Sequence, residues 1–407
     1  MSGILQFLLV AAPSFVLVLG IVVFVHEFGH FRVGRWCGIA VKSFSIGLGP
    51  EWFGWTDKHG TRWKVSRIPL GGFVSWVDDT DGSSMLPATD EDESLSKEER
   101  KRLGHFRAMP LWKRAITVAA GPLTNFVFSI FAFAFVILLV GRDVTDFDRI
   151  PARIGGVQEH SAAAAAGLRE GDVIVSADGR VTPNFRALQV VVSGATGRPI
   201  QLSVRRSSQT LTLTARPSPR LQDDDQGHHA GQGMLGVTGP LVLEPERLIV
   251  RYNPVEAIGI GAQRTWDMIA QTAGYVVDVF RGHAAANQIA GPTGIFMVSG
   301  QVANSALSGP LPPGGDGGIG GRLGMLALAL LSLSAVLSVA VGIVNLLPVP
   351  VLDGGHLLFY GIEGLRGGRP LPPVAQEWAY RAGFALIASL FLFATWNDIS
   401  RLLPGMR

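Results

Sequence analysis

Four stretches of this chain stay apolar for long enough to approach or exceed the thickness of a bilayer, and polar segments separate them. The first, Ile4–Val25, contains no charged residue and runs straight into His26. The second, about Ala115–Val140, carries Gly121-Pro122 and Asn125 inside it, and the third, Leu323–Leu347, is uncharged. The fourth begins near Ala382 and is long enough to span only if it continues through Asn397 and Asp398 to Leu403.

The segments between them have patterns of their own. Residues 31–114 include a strand-like run, Trp63–Val77, with Pro69-Leu70-Gly71-Gly72 at its middle, then an acidic stretch, Asp90–Glu93. Seven cations follow (Lys97, Arg100, Lys101, Arg102, Arg107, Lys113, Arg114), immediately before the second apolar stretch. An excess of Lys and Arg beside a span marks the cytoplasmic side, which places residues 31–114 there. Beyond the second stretch, Ser161 is placed to cap a short helix over Ala162–Ala166 that Gly167 closes. A strand at Val173-Ile174-Val175, a turn at Asp178-Gly179, a helix over about Asn184–Val192 and strands at Ile200–Arg205 and Thr210–Ala215 follow. Asp223–Gln226 with His228 and His229 reads as a solvated loop. Residues 254–280 read as an amphipathic helix with Ile258, Ala262, Thr265, Ile269 and Thr272 along one side, and Gly309–Gly321 as a Pro/Gly linker.

Composition supports a membrane protein with a soluble part: 47% of the 407 residues are hydrophobic and only 16% charged. The formal net charge of +3, with no basic cluster interleaved with aromatics, points away from nucleic acid. A single cysteine, Cys37, excludes an intrachain disulfide and a cysteine-based metal cluster. The N-terminus lacks a basic leader and its apolar run continues into the histidines, so it reads as a retained span and not a cleaved signal.

The chemistry centres on Val25-His26-Glu27-Phe28-Gly29-His30. On a helix His26 and His30 stand one turn apart on one face, where two imidazoles can reach one ion. Glu27 lies beside them, where a carboxylate can take a proton from water activated by the metal. A catalytic zinc site needs a third protein ligand and keeps a position open. Asp353 is a candidate, in Asn345-Leu346-Leu347-Pro348-Val349-Pro350-Val351-Leu352-Asp353-Gly354-Gly355, because a carboxylate at membrane depth is costly unless paired. With one span between them, the first and third helices run parallel and end on the same side, so His26, His30 and Asp353 can meet. Alone, the histidines also suit an interfacial helix end, and Asn345 also suits a helix-packing amide.

Together these segments resemble the site-2 protease family of intramembrane zinc metalloproteases, in its bacterial, PDZ-containing branch. The resemblance rests on His26–His30, on Ala119-Ala120-Gly121-Pro122-Leu123-Thr124-Asn125-Phe126, on Asn345–Gly355, on Pro69-Leu70-Gly71-Gly72-Phe73-Val74 and on Gly291-Pro292-Thr293-Gly294-Ile295. The module between the second and third spans resembles a PDZ domain, most clearly in Ala166-Gly167-Leu168-Arg169-Glu170-Gly171-Asp172-Val173-Ile174.

The resemblance implies an α-helical membrane protein of about four transmembrane helices, with a membrane-associated β-element and an inserted extracytoplasmic PDZ (α+β) domain. The implied plan is a first span with the zinc motif (1–30), a cytoplasmic loop with the β-element (31–114), a second span (115–141) and the PDZ domain (142–220). An extracytoplasmic amphipathic region and linker (221–322), a third span with the third ligand (323–356), a cytoplasmic loop (357–381) and a fourth span (382–403) complete it. His26, His30 and Asp353 would hold Zn2+, Glu27 would be the general base and Asn345 would hold the substrate backbone or the developing oxyanion. His356 is expected to be structural and not a fourth ligand. Two departures stand out: one PDZ domain where some relatives have two, and a long linker before the third span.

The implied function is regulated intramembrane proteolysis in the bacterial inner membrane. Its substrates would be single-pass membrane proteins already shortened by another protease, such as anti-sigma factors, and signal-peptide remnants. A membrane scaffold and a metal transporter are the rivals; the complete ligand set argues against the first, the lack of inverted repeats against the second.

Topology has a direct test. In a chain with Cys37 replaced by Ala, a cysteine at Ser207 should be labelled in intact cells by an impermeant maleimide and one at Ser94 should not. The reverse pattern would overturn the orientation.

Overall fold

The computed structural model describes residues 2–78, 95–220, 231–243, 246–281, 291–309 and 318–402. The acidic stretch 90–93, the Asp- and His-bearing stretch 223–229 and residues 310–317 of the Pro/Gly linker lie outside the described residues. The chain divides into two compact units: Met1–Val140 with Tyr252–Arg407, and the inserted Gly141–Arg251.

Helix α1 spans Ser2–Trp36, so the apolar run does not end at the histidines as the residue pattern implied. It continues because Phe31, 2% exposed, packs on Phe44 and Trp63 of the sheet that follows, with ring centroids 5.5 and 4.9 Å away. That sheet is built from β1 (Val41–Thr56) and β2 (Arg62–Trp76), joined by a turn in which the Asp57 carboxylate accepts from the His59 and Thr61 amides. Strand β1 was not foreseen: Ser43, Ser45, Gly47 and Gly49 blur its apolar alternation. Both strands fold back, so residues 41–46 pair with 72–76 and also face 62–65, while 51–56 pair with 62–66. A short helix α2 (Lys97–Arg102), closed by a Ser96/Glu99 capping box, leads to α3 (Leu111–Val140). Helices α1 and α3 touch backbone to backbone. A Cβ on Gly29 would stand 2.5 Å from the Ala120 carbonyl oxygen and from Thr124 Oγ1, so only glycine permits this approach.

In the inserted unit, β3 (Arg142–Asp143) pairs with β12 (Ile249–Val250), which sets its two ends side by side. Between them come β4 (Gly156–Val157), α4 (Ala162–Ala165) capped by the Ser161 hydroxyl, β5 (Val173–Ala177) and β6 (Arg180–Val181). Helix α5 (Phe185–Ser193), capped by Asn184, precedes β7 (Ile200–Arg206), β8 (Gln209–Ala215), β9 (Ser218–Pro219), β10 (Gly233–Met234) and β11 (Val237–Thr238). Asp178 and Gly179 turn the β5–β6 hairpin with positive φ of 53° and 76°. The sheet order is β6-β5-β7-β8, and Ile174, Leu188, Ile200, Leu202 and Val204 fill the core. The boundary expected at residue 220 moves to 251. Leu235 joins that core and Val237 pairs back to Val157, contacts too short to register as strands in the residue pattern.

The chain then returns to the first unit with α6 (Pro254–Phe280), capped by Asn253 and Glu256. Its packed face includes Ala257, Gly261 and Thr265, with Ile258 left exposed. Helix α7 (Pro292–Ser308) starts at the Gly-Pro-Thr-Gly motif, where buried Asp398 accepts from the Gly291 and Gly294 amides at 3.2 and 2.8 Å. Asp398 lies in the last helix, so its charge is satisfied by a helix start. Helices α8 (Ile319–Asn345), α9 (Asp353–Leu365) and α10 (Pro373–Leu402) complete the fold. The expected third span over 323–356 therefore stops at Asn345, where the prolines at 348 and 350 prevent continuation, and Asp353 opens a helix of its own. The expected loop at 357–381 is mostly helical: α9 fills 353–365, and α10 starts at Pro373, a residue suited to a first helical position, ahead of Ala382.

Among the described residues, four helices are long and apolar enough to cross a membrane: Phe7–Trp36, Leu111–Val140, Ile319–Asn345 and Pro373–Asp398.

In the inserted unit Asp172 is buried, which favours its neutral form, but the Arg206 guanidinium at 2.8 Å and the Arg169 amide outweigh burial and hold its carboxyl below the usual range. A group depressed in the folded state contributes stability that is complete above its unfolded pKa and fades as pH falls through the folded one. Exchange protection of residues 141–251, corrected for intrinsic rates, should decline as pH drops below about 4. Asp172→Asn should lower protection at neutral pH and flatten this dependence; an unchanged profile would refute the assignment.

Candidate active site

Three side chains from distant parts of the chain converge. His26 Nε2 lies 3.2 Å from His30 Nε2 and 3.2 Å from Asp353 Oδ2, and the third side, His30 Nε2 to Asp353 Oδ2, measures 3.5 Å. These are the three residues whose convergence the sequence pattern predicted, and the described residues contain no other such His, Cys, Asp and Glu group.

The triangle is consistent with a divalent ion. Zinc bonds of about 2.0–2.1 Å in tetrahedral geometry put ligand atoms about 3.3 Å apart. Asp353 Oδ2 is buried and makes no well-formed hydrogen bond, although two imidazole nitrogens crowd it. A cation shared by the three atoms would engage a lone pair from each. Zinc fits this set of two nitrogens and one oxygen, with a fourth position left over.

Each member is placed by a different device. Helical spacing sets His26 and His30, whose rings meet edge to face at 4.8 Å. His30 Nδ1 donates to the Thr117 carbonyl of α3 at 2.9 Å, which leaves Nε2 its lone pair for a ligand. Asp353 occupies the first turn of α9, where the helix dipole favours a carboxylate. Side chains at Gly354 or Gly355 would collide with the carbonyls of Leu346, Leu347 and Val349, so these glycines let α9 start against its own approach loop. The far end of α9 is anchored to α3: Arg114 pairs with Glu363 at 2.5 Å, both nearly buried, and stacks 5.0 Å from the Tyr360 ring.

Glu27 stands next to the triangle. The Val74 amide of β2 lies within hydrogen-bonding reach of its carboxylate, and Gly72 lets β2 pass over it, since a Cβ there would approach Glu27 Cγ to 3.2 Å. Asn345, half-buried at the end of α8, donates from Nδ2 to the Val341 carbonyl one turn back at 3.1 Å. His356 lies outside the triangle, with Nδ1 3.5 Å from the Tyr380 hydroxyl.

Sequence reasoning assigned no role to Gly121, the Thr117 carbonyl or the Arg114–Glu363 pair. A backbone acceptor carries no sequence signal, and a pair 249 residues apart has no spacing to read. A glycine beside a proline in an apolar helix was visible, but as a motif without a reason.

Comparison with known proteins agrees with the geometry. The model of Peptidase family M50 matches residues 14–390. The chain belongs to this family, the site-2 proteases. It is similar to a protein from Agrobacterium fabrum named as a zinc metalloprotease, at 42% identity over 96% of this chain and 95% of that one. It is also similar to the metalloprotease MmpA of Caulobacter vibrioides, at 37% identity over 97% and 96% of the two chains. The regulator of sigma-E protease RseP of Salmonella typhimurium shares 28% over 96% and 98%. Membership makes the chain an intramembrane zinc metalloprotease, a hydrolase of peptide bonds, with Zn2+ as its cofactor.

Gly121 tests the geometry. A Cβ there would overlap His30 Nε2 and come within 2.9 Å of His26 Cε1. Gly121→Ala should therefore strip zinc, as measured by elemental analysis of purified protein, while helix content by circular dichroism stays unchanged. Full zinc in that variant would show that the rings stand elsewhere.

Proposed function

We propose that this chain is an endopeptidase of the bacterial inner membrane that cuts single-pass membrane proteins already shortened by another protease. Anti-sigma factors and signal-peptide remnants are the substrate classes. In this reading the inserted unit is a PDZ domain on the extracytoplasmic side, residues 31–114 face the cytoplasm and the β1–β2 sheet is a membrane-associated element. The observation that carries it is the convergence of Asp353 on His26 and His30, which sit in a helix apolar and long enough to cross a membrane. Similarity to a protease named as a regulator of sigma-E supports the signalling role. The β6-β5-β7-β8 sheet with α5 supports the PDZ reading.

His26 Nε2, His30 Nε2 and Asp353 Oδ2 would hold zinc. The metal supplies Lewis acidity toward a water and the scissile carbonyl. Glu27 takes a proton as the water oxygen bonds to the carbonyl carbon, and returns it to the amide nitrogen as the C–N bond breaks. The Val74 amide orients that carboxylate. Asn345, parked on the Val341 carbonyl in the free chain, would turn its amide to the substrate backbone or the developing oxyanion.

A cleavage assay in proteoliposomes with elemental analysis tests this reading. Wild type should bind one zinc and cut a pre-shortened single-pass substrate within its span while sparing the full-length form. Glu27→Gln should keep its zinc and lose about 10²–10⁴-fold in rate. His26→Ala, His30→Ala and Asp353→Ala should lose both. Full zinc and turnover in Asp353→Ala would refute the ligand set, and equal cutting of both substrates would refute the dependence on a first cut.

A further inference from the structure

Asn125 is fully buried in the middle of α3, and its Nδ2 lies 3.2 Å from His26 Nδ1. Its Oδ1 is buried and has no partner. Both facts conflict with His26 as a metal ligand. If Nε2 offers its lone pair at the triangle, the ring's proton sits on Nδ1, and two donors would then face each other. A half-turn of the terminal amide exchanges its oxygen and nitrogen with almost no change in shape.

We propose that Asn125 is the positioning residue for His26: its Oδ1 accepts the Nδ1–H and holds the ring in the tautomer and orientation that bind metal. The proposal rests on the ligand assignment above. Its support is the pairing seen at the other histidine, where the Thr117 carbonyl takes the Nδ1–H of His30. Thr117, Gly121 and Asn125 fall at every fourth residue of α3, one stripe facing α1. The outer two meet a histidine N–H each, and the middle one makes room for both rings. A backbone carbonyl serves His30, but at His26 the task falls to a side chain. An apolar span provides no water as a substitute acceptor, so an amide that would otherwise be expensive there has a reason to be present.

The test is zinc affinity of the full chain in detergent, by competition with a chromogenic chelator. Asn125→Leu, with the same branched skeleton but no acceptor, should weaken zinc binding about 10–100-fold. Asn125→Asp, which presents only acceptors, should hold zinc within about threefold of wild type or more tightly, because a carboxylate orients a ligating histidine in the same way. A cobalt-substituted Asn125→Asp protein should keep the wild-type visible spectrum. Wild-type affinity in folded Asn125→Leu would overturn the proposal, as would a folded Asn125→Asp that loses zinc tenfold or more. If Asn125→Leu fails to fold, the Asn125→Asp result decides alone. His30→Ala and Asp353→Ala in the same titration separate the two ideas. If they keep zinc, the ligand assignment fails and this inference with it; if they lose zinc while Asn125→Leu keeps it, only the role of Asn125 fails.

Discussion

Three lone-pair donors held within 3.5 Å of one another inside an apolar helical bundle form the constraint on which the rest of this structure depends. Such polar atoms must be satisfied by one another or by a shared cation, because the bilayer offers no water to do it. The protein must therefore fix the rings and the carboxylate by contacts that do not rely on the ion. It does so mostly with backbone. A carbonyl of α3 orients His30, the start of α9 presents Asp353, and a strand amide meets Glu27.

Close approach of helices makes this possible. Gly29 and Gly121 remove the side chains that would separate α1 from α3, so the His30 ring can reach a carbonyl of the neighbouring helix. Where lipid replaces water, dispersion and such polar contacts drive helix association, and small residues at the seam are the means. Ser129 extends the same logic: its hydroxyl lies 2.8 Å from the carbonyls of both Asn125 and Ala335, joining α3 to α8. The Arg114–Glu363 pair locks α9 to the first turn of α3, so Asp353 on α9 and the histidines on α1 are both referred to α3. Helix α3 contributes no side chain to the triangle, yet it contacts both helices that do.

The β1–β2 sheet answers a different need. Its residues 72–76 form one margin of the folded sheet and pass directly over Glu27. Gly72 makes that passage possible: a Cβ there would stand 2.7 Å from the Ser45 carbonyl oxygen of β1 and from Val23 Cγ1 of α1. Phe31, Phe44 and Trp63 bind the sheet to the last turns of α1, which places the strand and the histidines on one rigid support.

Much was legible in the residues alone. Apolar runs marked the four helices long and apolar enough to cross a membrane, because a chain that must satisfy its own hydrogen bonds in lipid has few alternatives to a helix. Spacing along one helix determined that His26 and His30 share a face, and the parity of the spans brought Asp353 to their side. In the inserted unit, Ser161, Asn184 and Asp178-Gly179 act through neighbours a few residues away, so the caps and the hairpin turn could be read locally. Tertiary structure decided what depends on contacts between distant segments. It extended α1 beyond the motif because Phe31 found aromatic partners on the sheet, and broke the third helix so that Asp353 could begin another. It carried the inserted unit to residue 251 through two-residue strands that have no periodicity to detect. The orientation of His26, His30 and Asp353, set by a carbonyl, a missing Cβ and an ion pair 249 residues apart, exists only once the helices have packed.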